Sequence, residues 1–157
     1  MTASAHAIVG AALATVIKDP LTLSLASLTS HFVMDCIPHW DFGTNWRSRA
    51  KTVTGLLAAA DTIIGITLAY LLFWGKAPVS LLTIGILFSE LPDWMEAPWF
   101  LFFAKGRDHI TKKDEFWKRT CYGIYKFQSR FHVKAQLPFG GITQILIIIF
   151  ALYLSNR

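Results

Sequence analysis

A chain of 157 residues that is 54% hydrophobic and only 16% charged falls well below the roughly 25% charge of an average soluble domain, and so belongs to the membrane class. Its formal charge of +5 does not indicate nucleic acid, because a basic soluble domain would not carry this much continuous apolar sequence. Cys36 and Cys121 lie far apart and outside any CxxC pattern, which gives no reason to expect a disulfide framework or a thiolate zinc site.

Residues 1–157 read as a single domain, without a low-complexity linker or an internal repeat at which to divide it. The stretch from Met1 to Gly10 lacks the basic region that opens a cleavable signal peptide, so the first helix is expected to stay. Five apolar segments follow in order, at 3–17, 21–38, 53–74, 77–103 and 137–154. The last three are long enough to span a bilayer. At a rise of ~1.5 Å per residue the first two reach only about 22 and about 27 Å, short of the ~30 Å hydrocarbon core. They are short spans or a re-entrant hairpin turning at Lys18, Asp19 and Pro20. The expected architecture is therefore all-α: a polytopic membrane bundle of three full spans, a short N-terminal helical pair, and one interfacial helix.

Orientation does not depend on how the hairpin sits, since it returns the chain to its starting side. The loop 40–52 and the segment 104–136 then share a side with the N-terminus. That side carries Arg47, Arg49, Lys51, Lys105, Arg107, Lys112, Lys113, Lys118, Arg119, Lys126, Arg130 and Lys134, whereas Lys18, Lys76 and Arg157 lie opposite. The positive-inside rule makes the basic side cytoplasmic and places the C-terminus outside, in an inner (cytoplasmic) membrane. Within 112–135, apolar Trp117, Cys121, Ile124, Phe127 and Phe131 recur at helical spacing with Lys and Arg between them, which predicts a helix lying in the cytoplasmic interface. Its basic residues, Lys126 and Arg130 among them, would favour anionic phospholipid headgroups; a solvated basic face that only fixes orientation accounts for them equally well.

The chemistry concentrates in the run from Ser30 to Asp41. His31 and Asp35 are four apart and share a helix face, with His39 a further turn on beyond Pro38 and Asp41 just past the end. Imidazole nitrogens and carboxylate oxygens are the ligands that hold Zn²⁺ and related ions in catalytic sites. Further ionisable groups sit in apolar segments: His6 in the first, Asp61 in the third, and Glu90, Asp93 and Glu96 in the fourth, around Pro92. Each costs ~2.5–3.5 kcal/mol to insert and normally faces a bundle interior or cavity. At ~1.5 Å per residue, His31 and Asp61 each lie about 12 Å from the cytoplasmic ends of their segments, Asp93 about 15 Å, Glu90 about 20 Å and His6 about 5 Å. All but Glu90 fall in the cytoplasmic half. His132, at the end of the interfacial helix, is placed to fold over the same region. Helix-end and hydrogen-bonding roles account for a lone His6, Asp35 or Asp41, but no basic residue lies inside a span to pair with Asp61 or Asp93. Of the five histidines only His109, in the basic loop, reads as plain surface.

At His6 and at His31-Phe-Val-Met-Asp35-Cys-Ile-Pro-His39-Trp-Asp41 the chain resembles the bacterial membrane-bound metal-dependent hydrolases, small polytopic proteins with an N-terminal His and a His-x-x-x-Asp-x-x-Pro-His motif. A weaker likeness, carried by His31 and Asp35, is to zinc-dependent phospholipase C, whose second His-x-x-x-Asp/Glu pair is absent. The resemblance implies a divalent-metal hydrolase, with Zn expected and Mn the alternative, acting on a phosphoester of a lipid or lipid-linked substrate. His31, Asp35 and His39 would hold the first ion, with Asp61, Asp93, Asp41, His6 or His132 completing it or a second. Glu90 or an unligated Asp93 would serve as general base, and Lys126 and Arg130 would gather the headgroup. A cation or proton transporter using the same cluster and a non-catalytic partner protein are the rival readings.

Overall fold

Alanine and glycine set the centre of the molecule. Helix α1 (Ala3–Val16) carries Ala3, Ala5, Ala7, Ala11, Ala12 and Ala14, all buried; alanine has the highest helix propensity, and its methyl group lets neighbouring helices come close. The computed structural model describes residues 1–42, 48–104, 110 and 114–156. The other helices among these are α2 (Pro20–Asp35), α3 (Lys51–Phe73), α4 (Val79–Pro98), α5 (Phe116–Gln128) and α6 (Phe139–Leu154). No strand forms among the described residues, and an isolated bridge pairs His39 with Lys134. His109 and the basic residues Arg47, Lys105, Arg107, Lys112, Lys113 and Arg157 lie outside the described residues.

Helices α2, α3, α4 and α6 all pack on α1. The first apolar segment is thus the hub of the bundle, and its short length goes with burial among other helices. The α1–α4 crossing is closest at Gly10 and Gly85, where a Cβ on either residue would collide with the other's carbonyl. Gly65 of α3 sits equally close to the backbone of Ser4. These contacts align the start of α1 with the C-terminal half of α4. Asp19 caps α2, its carboxylate accepting from the Thr22 N–H at 2.7 Å, and Pro20 takes the first helical position.

Three full spans were expected; α3, with 23 residues, is the one helix among the described residues long and apolar enough to cross a membrane. The other two fall short for local reasons. Three acidic residues interrupt the apolar sequence of α4, which gives way after Pro98 to a π-helical turn at Trp99–Phe103. Helix α6 starts only after Pro138 and has 16 residues. Both α3 and α6 nevertheless expose large apolar side chains, among them Leu56, Ile63 and Leu71 on α3 and Ile145, Leu146 and Phe150 on α6.

Candidate metal centre

The chemistry-bearing residues arrive from four directions at one end of the bundle. His6 comes from the second turn of α1, His31 and Asp35 from the last turns of α2, and Asp93 from α4. His39, Asp41 and His132 come from two irregular segments that the backbone ties together. Val133 donates to the Asp35 carbonyl (2.9 Å), His39 donates to that of Val133 (3.1 Å), and Ala135 donates to that of His39 (2.7 Å). Helix α6 holds the same segment from the other side: Gly140 leaves no room for a Cβ against the backbone of His39 and Trp40, the Thr143 hydroxyl donates to the Pro38 carbonyl (2.6 Å), and Gln144 Nε2 donates to that of Trp40 (2.6 Å). Phe32, Phe127 and Phe131 form a triangle with centroids 5.3 to 5.8 Å apart, which fixes the end of α5 against α2 and delivers His132 to the site.

Asp35 is the hub. Its Oδ1 lies 3.2 Å from His6 Nε2 and 3.8 Å from His39 Nε2, and its Oδ2 lies 3.4 Å from both His31 Nε2 and His132 Nδ1. The Met1 amino nitrogen also contacts Oδ1. His31 Nε2 is 3.8 Å from Asp93 Oδ1 as well. His6, His31 and Asp93 form one group whose ligand atoms all lie within 4.8 Å of each other, and Asp35, His39 and His132 form another. Asp41 adjoins the second, with Oδ2 2.6 Å from His132 Nε2 and 3.8 Å from His39 Nε2.

The protons in this cluster can be assigned. His31 Nδ1 is 2.7 Å from the Ser89 carbonyl oxygen, and His39 Nδ1 is 2.7 Å from that of Ile37. A carbonyl only accepts, so each Nδ1 carries a proton and each ring turns its Nε2 inward, where it offers a lone pair in the neutral form. His31 Nε2 is buried without a hydrogen bond among the described residues. The inward separations of 3.4 and 3.8 Å to Asp35 and Asp93 are long for a charge-assisted hydrogen bond. They suit ligands of a shared ion, since atoms bound at ~2.1 Å in a tetrahedron stand about 3.4 Å apart. His39 Nε2 and His132 Nε2 meet at 2.7 Å, and His132 Nε2 lies 2.6 Å from Asp41 Oδ2. Carbonyl acceptors behind metal-ligating imidazoles are the usual device for fixing tautomer and orientation.

Burial works against ionisation of the Asp41 carboxyl, but hydrogen bonds to His132 and His39, with the charge of Lys134 nearby, outweigh it and hold the group well below the ordinary carboxylate range. Burial likewise lowers the His132 imidazole, only partly opposed by Asp41. Both shifts favour the forms that bind a cation: carboxylate and neutral ring.

No family model, curated protein or solved structure matches the chain. What the site can do therefore rests on its own geometry.

The structure brings together His6, His31, Asp35, His39, Asp41, Asp93 and His132. It places Asp61 elsewhere: this carboxylate accepts from the N–H groups of Ala3 (2.7 Å) and Ser4 (3.4 Å) and so satisfies the open amino end of α1. Asp93, one of two expected bases, stands within a ligand group. Glu90, one turn earlier, is completely buried with neither oxygen hydrogen-bonded among the described residues. The expected helix over 112–135 is shorter, Phe116–Gln128, because residues 133 and 135 take their hydrogen bonds from the Asp35–His39 segment instead; His132 thus lies beyond the helix end. Lys126 and Arg130 are exposed, and Lys126 Nζ stands 5.9 Å from the Tyr122 ring centroid. The basic side chain at the site is instead Lys134, whose Nζ is 3.6 Å from Asp41 Oδ1. Neither Lys134 nor the Ser89 carbonyl has a sequence signal as a site group, since both owe their role to contacts 58 to 93 residues distant.

Proposed function

We propose that this chain is a polytopic inner-membrane protein, amino terminus cytoplasmic, acting as a divalent-metal-dependent hydrolase on a phosphoester of a lipid or lipid-linked substrate at the cytoplasmic face. The observation that carries the reading is the convergence of four imidazoles on Asp35, flanked by the carboxylates of Asp41 and Asp93, with Nε2 of His31 and His39 turned inward. The donor set is the nitrogen and oxygen chemistry that Zn²⁺ and Mn²⁺ accept. An ion held there would bring the pKa of a bound water towards neutrality and stabilise charge developing on phosphoryl oxygens.

The residues supply the rest. Ser89 and Ile37 carbonyls hold His31 and His39 in the binding tautomer. Asp93, with 26% of its side chain exposed, and His132, with 14%, form the open edge where a substrate enters. Lys134 lies beside that edge, 39% exposed, and is the cation best placed to meet an anionic headgroup. Lys126 and Arg130 lie farther along α5 and would attract the anionic surface that carries the substrate. Glu90 is completely buried, whereas Asp93 is partly exposed within a ligand group, which favours Asp93 of the two as general base.

Exposed apolar faces on α3 and α6 support membrane embedding, because contiguous apolar surface of this kind is rare on soluble monomers. The polar groups gather at one end of the bundle, while the described residues of the other end, around Lys18 and Lys76, offer no comparable set. That distribution favours a one-sided pocket over a transport path. The test is turnover on phospholipid and lipid-phosphate substrates in mixed micelles, with the protein stripped of metal and then reloaded with Zn²⁺ or Mn²⁺. Activity restored by metal and abolished by His31→Ala supports the hydrolase. Metal binding without turnover on any phosphoester, together with ion flux in reconstituted vesicles, would replace it with the transporter.

A further inference from the structure

We infer that the centre is dinuclear, with Asp35 as the bridging carboxylate between an inner ion held by His6, His31 and Asp93 and an outer ion held by His39, His132 and Asp41. This rests on the metal-site reading above and sets its stoichiometry.

Ligand number comes first. Seven side chains converge, whereas a tetrahedral zinc site uses four protein ligands at most and a catalytic one commonly uses three. A single ion would leave at least three of these donors unused in a buried space. Divided between two ions that share Asp35, the set gives four protein ligands to each.

Placement agrees with that division. The ligand atoms fall into two groups, His6, His31 and Asp93 in one and Asp35, His39 and His132 in the other. Asp35 is in contact with both: each of its oxygens faces one imidazole from either group, Oδ1 with His6 and His39, Oδ2 with His31 and His132. A carboxylate in that position joins two ions at the ~3.5–4 Å separation typical of two-metal hydrolytic sites. The ring planes also follow the grouping. His6 and His31 stack with centroids 3.9 Å apart, and His39 and His132 meet at 4.6 Å.

Two ions also explain why two separate segments, 37–41 and 131–135, are laced together by backbone hydrogen bonds: that lacing assembles the outer half, whereas α1, α2 and α4 assemble the inner.

The experiment is metal stoichiometry by elemental analysis of the full chain in detergent, saturated with Mn²⁺ and freed of loosely held ion, alongside its low-temperature electron paramagnetic resonance spectrum. Two ions per chain and an exchange-coupled spectrum are expected for the wild type. His132→Ala and His6→Ala should each retain one ion and show the uncoupled signal of a single Mn²⁺. Saturation of the wild type at one ion, or two ions without exchange coupling, overturns the bridged pair while leaving the metal-site reading standing. No bound ion at all in the wild type overturns the metal-site reading itself. The wild-type measurement decides the matter even where a variant fails to fold.

Discussion

Each ligand owes its competence to a partner that the sequence does not display next to it. His31 presents Nε2 to the cluster because a carbonyl 58 residues away holds its other nitrogen, and Asp35 is central because four rings surround it. The spacing of His31 and Asp35 was legible, since an i,i+4 pair shares a helix face whatever the tertiary fold. Asp61 has other partners than the expected ion. An acidic residue in an apolar segment signals a buried partner but does not say whether that partner is a cation or a row of backbone N–H groups. The structure gives the N–H groups of Ala3 and Ser4. Asp61→Asn is accordingly expected to keep bound metal at the wild-type level while lowering the thermal midpoint by a few degrees, as loss of about 1 kcal/mol of helix capping would do. Metal loss in that variant at unchanged stability would return Asp61 to the ligand set. Protons compete with the ion at every imidazole, so occupancy should hold near pH 7.5 and fall steeply by about pH 5.5, as followed by equilibrium dialysis. Occupancy independent of pH over that range would exclude histidine ligands.

At the scale of elements, small residues set the geometry of the site. Gly10 and Gly85 bring α1 and α4 into backbone contact, and Gly140 admits the His39–Trp40 segment against α6. Gly10→Ala should destabilise the protein by about 1–3 kcal/mol through overpacking and reduce metal content as well, because His6 moves with α1 relative to Asp93. Gly140→Ala should spare α1 and α4 but lower occupancy through His39. A Gly10→Ala protein with wild-type stability and metal content would show that the crossing is looser than described. Hydrophobic periodicity revealed most of the helices but not their ends. Helix α5 stops at Gln128 where periodicity continues, because the chain beyond it finds better hydrogen-bond partners in residues 35–39 than in another helical turn. Segment length alone also hid the central place of α1, which follows from its alanine content.

For the whole molecule, the arrangement is one-sided: the site, α5 and its basic residues lie towards one end, and apolar side chains face outward from α3 and α6. Apolar length in the sequence overstates how much of α4 and α6 is membrane-length helix. If α5 rests on an anionic surface, Lys126→Glu with Arg130→Glu should weaken association of substrate-bearing anionic vesicles, raising the apparent KM with little change in kcat. About 1 kcal/mol per basic residue near the membrane corresponds to roughly five-fold for each. An equal fall in kcat with KM unchanged would instead place these residues in the chemistry. The central claim, that Asp35 is the hub of a cation site, is tested most directly by the metal content of detergent-purified wild type and Asp35→Ala, with helical content checked by circular dichroism. Stoichiometric zinc or manganese in the wild type and its loss from a folded Asp35→Ala protein are the expected result; a metal-free wild type, or a variant that retains the wild-type complement, would contradict it.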